Sequence, residues 1–137
     1  MTGAEPLDDD LAGGSAPADD DEWPPRAARA RAAFWLGAGE LERGAYWHAS
    51  RSFKDAGEKA ADPAEQELAR GLFHLAVAGF KGIAGDPRGK ERQLAHARRR
   101  LAPFGPRHDE LDLELAELLA AIAADERTAD DAVPEPE

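Results

Sequence analysis

The side chains in this chain that could do chemistry are few. There are four histidines, His48, His74, His96 and His108, two mid-chain serines, Ser50 and Ser52, and no cysteine. Ligands that share a metal from one helical face stand three or four residues apart, and a closed site needs three or four of them. No two of these histidines have that spacing and no H-E-x-x-H occurs. His48 and His74 could meet only across two packed helices, which is two ligands at most. No metal and no cofactor are expected, and His74 is expected at the edge of a core with a hydrogen-bond partner. Neither serine sits in a G-x-S-x-G turn that would expose a nucleophile. The stretch Gly85-Asp86-Pro87-Arg88-Gly89-Lys90 is glycine-rich and basic but lacks the G-x-x-x-x-G-K-[ST] frame. It reads as a helix–helix turn whose Asp86 caps the following helix. Catalysis would need a pocket the sequence does not announce, so a small-ligand or metal-dependent enzyme is the alternative reading rather than the leading one.

Residues suited to binding are better organised. Trp47, Ser50, Arg51 and Lys54 recur at three- and four-residue intervals and fall on one helical face. Arg70, His74 and Lys81 fall together on a second helix. If the two helices pack, the result is a groove with an aromatic wall and a cationic lip. Trp and Arg are frequent anchors of protein interfaces. The expectation is a non-enzymatic interaction module with an unknown protein partner, an acidic or anionic one suiting the lip. The competing expectation is that Trp47 and Trp35 simply complete the core.

Charge limits the partner further. The net charge of −11 is unevenly spread. Residues 1–22 hold eight acids and no base, and residues 125–137 hold six acids and one base, Arg127. The part between, 23–124, has 14 acids and 16 bases and is close to neutral. Both ends lack large apolar residues and cannot offset an ordering cost of roughly 1–2 kcal/mol per residue, so they are read as disordered acidic tails. A third reading, a nucleic-acid accessory protein, rests on Arg88, Lys90, Arg92, Arg98, Arg99 and Arg100 in one short segment. The acidic residues of segment 108–124 and of the tails are expected to pair with that segment, which makes nucleic acid the less favoured partner. No apolar run approaches the ~20 residues of a membrane span, and the first residues lack a secretory pattern, so a cytoplasmic location is expected.

The elements that must position these side chains are helices. Val and Ile are scarce, and no segment is read as a strand. Five helical segments are expected, at about 25–42, 45–59, 63–84, 87–102 and 108–124. In the second, Tyr46, Ala49, Phe53, Ala56 and Ala60 form a regular apolar stripe. In the third, Asp62 and Pro63 are start signals. From Gly71 to Phe80 only His74 is polar, the pattern of a buried central helix. In the fifth, Leu111, Leu115, Leu118 and Ile122 form the stripe, and Asp109, Glu110 and Asp112 suit a helix N-terminus. The short connection at Gly44 makes the first two helices an antiparallel hairpin. A faint repeat at a 41-residue offset, with Leu36, Gly44, Phe53 and Ala56 mapping onto Val77, Gly85, Leu94 and Ala97, pairs the next two likewise. The expected fold is all-α, a compact five-helix bundle of two hairpins and a closing helix, with tetratricopeptide-like packing in a single domain over 23–124.

The stretch Phe34 to Phe104 resembles a small bacterial and archaeal family, domain of unknown function 309. That family places G-x-[YF]-[WF]-E-x-H-E after its first turn, a Q-G-L-I-Q-L-A central helix and a G-N-x-x-G-A turn. This chain reads Gly44-Ala45-Tyr46-Trp47-His48-Ala49-Ser50-Arg51, then Arg70-Gly71-Leu72-Phe73-His74-Leu75-Ala76, then Gly85-Asp86-Pro87-Arg88-Gly89-Lys90. The resemblance implies an all-α fold and no established activity. The family's Glu, His and Glu positions are His48, Ser50 and Arg51 here, and its central Gln positions are Arg70 and His74.

Overall fold

The computed structural model describes residues 23–128. The expected tail at 1–22 therefore lies outside the described residues, and that at 125–137 is described only as far as Thr128. The described chain is an all-α bundle. Helices α1 (Arg26–Glu42), α2 (Tyr46–Lys59), α3 (Pro63–Ile83) and α4 (Pro87–Leu101) follow one another as antiparallel neighbours. A 3-10 turn (Ala102–Phe104) and a loop lead to α5 (Leu115–Ala124). Each of the first four helices packs on the next, and α5 closes against α3 and α4.

Local chemistry sets the boundaries. Gly44 and Gly85 take φ values of 79° and 83°, which side chains rarely adopt, and so turn the chain after α1 and α3. Asp62 accepts from the Ala64 N–H at 2.9 Å and opens α3, with Pro63 at its first position. Asp86 accepts from the Gly89 N–H at 2.8 Å and opens α4, as the turn motif predicts. The α2 stripe is buried throughout, from Tyr46 to Ala60. Phe34 and Phe53 meet inside the first hairpin with ring centroids 6.5 Å apart, and Leu68, Leu72 and Leu75 of α3 complete the centre. Small residues let the helices close up: a methyl on Gly79 would stand 2.7 Å from the Tyr46 ring, and one on Gly71 2.6 Å from Leu101.

The fifth helix differs from expectation. Residues 108–114 are not helical, and α5 begins at Leu115. His108 and Leu113 exchange backbone hydrogen bonds of 2.8 and 3.0 Å across a tight turn, with Asp112 at φ 56°. Leu111, Leu113 and Leu115 are all buried. That is alternation with period two, which a helix would break by turning Leu113 about 200° away from Leu111. The acids here do not serve a helix dipole. Arg107 gathers Asp109 at 2.9 Å, Asp112 at 2.5 Å and Glu114, and these bonds hold its guanidinium pKa above the ordinary value. The Trp35 indole fastens the loop to α1 by donating to the Leu111 carbonyl at 2.9 Å.

Beyond α5 the chain is tied down. The Tyr46 hydroxyl donates to Asp125 Oδ2 at 2.5 Å, Arg127 Nη2 donates to the same oxygen at 2.8 Å, and Lys90 Nζ donates to the Asp125 carbonyl at 2.6 Å. Asp125 and Arg127, expected as part of a tail, thus clasp the bundle.

Candidate functional site

The expected groove forms between α2 and α3. Its larger part has a volume of about 720 Å³ and is open to solvent. Five of the seven residues singled out in the sequence line it: Trp47, Ser50, Arg51 and Lys54 from α2, and Lys81 from α3. Arg70 borders a second hollow of about 370 Å³. The two share Lys54, Glu58 and Phe73, so they form one continuous surface.

His74 does not belong to it. It lies about 40° further around α3 than Arg70, given 3.6 residues per turn, and there it meets α4. Its Nδ1 is 2.7 Å from Gln93 Oε1, and its ring stacks on His96 at 5.0 Å. It is therefore the hydrogen-bonded histidine of the less specific expectation. His96 has its pKa lowered by desolvation first, then by His74 and by Arg99, Arg100 and Arg92.

The floor of the groove comes from residues the sequence reading had buried. Phe73, Val77 and Phe80 recur at four- and three-residue spacing on α3, beside rather than within the core stripe of Leu68, Leu72, Leu75 and Gly79. The helix is apolar nearly all round because two faces are apolar, one for the core and one for the groove. Phe80 is 41% exposed and Trp47 50%, and their rings meet with centroids 5.9 Å apart at 48°. Trp35 is also half-exposed. Neither tryptophan completes the core, which Phe34, Phe53 and a set of leucines fill instead. The Arg51 guanidinium lies 5.9 Å from the Trp47 centroid, a cation–π distance that keeps both side chains at the rim.

The polar groups are graded along the groove. Near Trp47 stand Arg51 and Lys81, with Lys54 a turn away; at the other end stand Asp55 and Glu58. Asp55 is paired with Lys59 at 2.5 Å, and Lys81 is only loosely paired with Asp86 at 3.8 Å. Lys54 has no ion pair among the described residues. Ser50 offers no nucleophile: it is 6% exposed, and its hydroxyl donates to the Trp47 carbonyl at 2.7 Å. Among the described residues no three His, Asp or Glu side chains form a group that could hold a metal ion, and no helix is long and apolar enough to cross a membrane.

The acids of segment 108–114 do not neutralise the basic helix α4, and its expected pairing with the tails lies outside the described residues. The acids at 109, 112 and 114 turn to Arg107, and within the described residues only Arg100 of the α4 arginines is ion-paired, to Glu67. Arg88, Arg92 and Arg99 are exposed and fall within about 40° of one another around the helix.

No protein-family model, curated protein or solved structure matches this chain.

Proposed function

We propose that this protein is a non-enzymatic interaction module, working in the cytoplasm, whose α2–α3 groove receives an acidic segment with apolar side chains from a protein partner. The observation that carries this is the half-exposed pair of Trp47 at the rim and Phe80 on the floor of the groove, beside Arg51, Lys54 and Lys81. An exposed aromatic pair costs free energy in water and regains it when covered, about 25 cal/mol per Å² of apolar surface. The cations favour a partner of opposite charge and penalise a basic one. The resemblance to domain of unknown function 309 fits this reading, since the positions that carry acids there are His48 and Arg51 here. The enzyme alternative draws no support from His74, which faces Gln93 and His96 rather than a carboxylate.

The test is a synthetic peptide of alternating Glu and Leu, followed by tryptophan fluorescence and by the Trp47 indole NMR signal. The acidic peptide is expected to bind, and a Lys–Leu counterpart to bind at least tenfold more weakly. Trp47→Ala with Arg51→Glu should abolish binding. Equal binding of both peptides, or binding untouched by the double substitution, would overturn the proposal.

A second reading has its own observation, the exposed Arg88, Arg92 and Arg99 stripe on α4, which would contact phosphates. Binding of a short duplex that weakens steeply with salt and is lost in Arg92→Glu with Arg99→Glu would establish it.

A further inference from the structure

We propose that residues 129–137 of the same chain occupy the α2–α3 groove, as an internal competitor that the partner segment must displace. This rests on the reading of the groove given above.

The argument begins with where the described chain ends. Asp125 is fixed by Tyr46 at 2.5 Å and by Lys90 at 2.6 Å, and Arg127 closes on Asp125 at 2.8 Å. Tyr46 is the first residue of α2 and immediately precedes Trp47. The described chain therefore ends at the end of the bundle where α2 begins, the end that carries Trp47, with Tyr46 itself about 100° around the helix from Trp47. The nine residues that follow can span up to ~30 Å at about 3.3 Å each. The groove wall from Trp47 to Glu58 is eleven helical steps, ~16 Å at 1.5 Å per residue. The segment is more than long enough.

Charge and order of residues fit as well. Asp130, Asp131, Glu135 and Glu137 are all acidic, and the segment contains no base. Between the acids lies Ala132-Val133-Pro134. That apolar centre can cover Trp47 and Phe80 while the flanking acids meet Arg51, Lys81 and Lys54. Pro134 has no N–H to leave unsatisfied against an apolar floor, and proline segments dock readily on aromatic surfaces. The other acidic segment is less well placed. It reaches the bundle at Trp23, where Arg26 donates to the Glu58 carbonyl at 2.9 Å, so it would come in over Asp55 and Glu58.

Because the segment is tethered, a weak contact suffices; a short link holds it at millimolar effective concentration. A groove nine-tenths occupied in this way lowers the apparent affinity of an outside peptide roughly tenfold.

The chain has no cysteine, so a nitroxide on Ala132→Cys labels the full-length protein at one place. The expected result is broadening of the Trp47 indole and Val77 methyl signals beyond that of the Trp23 and Trp35 indoles. The broadening should vanish when Asp130, Asp131, Glu135 and Glu137 are replaced by their amides. That same variant should bind the Glu–Leu peptide roughly tenfold more tightly. Several outcomes would overturn the proposal. One is broadening from a label at Ala12→Cys but not at Ala132→Cys, which would make the first segment the occupant. Another is broadening that appears in an equal mixture of labelled and isotope-bearing unlabelled chains, which would make it a second copy. If no label broadens Trp47 and the Glu–Leu peptide binds both forms alike, the internal contact fails and the module reading survives. If the Ala132→Cys label broadens Trp47 but the amide variant takes up no peptide, the internal contact survives and the module reading fails.

Discussion

Replacing Gly79 by alanine isolates the contact that sets the α2–α3 spacing, and with it the shape of the groove. A methyl at this position would lie 2.7 Å from two atoms of the Tyr46 ring and 2.8 Å from a third. The ring cannot swing away easily, because its hydroxyl is tied to Asp125 at 2.5 Å and the side chain is almost fully buried. Two effects oppose each other. Alanine is about 1 kcal/mol better than glycine inside a helix. Overpacking a filled core costs about 1–3 kcal/mol, and a contact this short against a fixed ring belongs at the upper end. The expected net change is a destabilisation of roughly 1–2 kcal/mol, which for a domain of this size lowers Tm by about 4–16 °C. Gly39→Ala is the control. Its new methyl would meet nothing nearer than the mobile end of Arg43 at 3.4 Å, so helix propensity acts alone and stability should rise by up to about 1 kcal/mol. Urea unfolding of both variants beside the parent measures the difference. Should Gly79→Ala stabilise the protein as much as Gly39→Ala does, the close approach of α3 to Tyr46 is wrong, and so is the groove geometry that depends on it.

Three other perturbations test separate parts of the bundle. The chain has one tyrosine, and burial, together with the Asp125 carboxylate, pushes the Tyr46 hydroxyl up to about 12. Tyrosinate absorbance should therefore show a midpoint near 12 in the native protein and near the ordinary 10 in urea. Because the folded form holds the proton more tightly, stability should be full below pH 10 and decline between about 10 and 12; Asp125→Asn should bring the midpoint down. The sign is reversed for His96, whose pKa is lowered by desolvation and by His74. Its stabilising effect is present above the ordinary histidine value of about 6.5 and fades as pH falls below it, and His96→Gln should flatten the decline in Tm over that range. Arg107→Gln removes the hub of the 108–114 turn. Amide exchange should speed up in that turn, with the Trp35 indole signal shifting, while α1 to α4 keep their protection; uniform loss of protection would show that the turn and the bundle unfold together.

Of the groove, the cationic lip and Trp47 could be read from the sequence, because helical spacing alone puts Trp47, Arg51 and Lys54 on one side of α2. The floor could not. Phe73, Val77 and Phe80 are ordinary core residues by type, and only the packing of α3 decides which of its two apolar faces is covered. His74 shows the same limit: on one helix it lies close to Arg70, but the helix packed beyond that edge is α4. The turn at 108–114 carried a local signal, the alternation Leu111, Leu113, Leu115, which competed with an equally good helical stripe through Leu111, Leu115, Leu118 and Ile122.

What the sequence determined by itself was everything governed by neighbours along the chain. The four successive helices, their caps at Asp62 and Asp86 and the turns at Gly44 and Gly85 follow from period, propensity and backbone freedom, and these do not depend on distant residues. What tertiary structure decided was which surfaces stay open and which charges find one another. Arg107 rather than α4 holds the acids of the last loop, and Asp125 and Arg127 close on Tyr46 about eighty residues away. Such pairings depend on distances through space that no spacing along the chain contains.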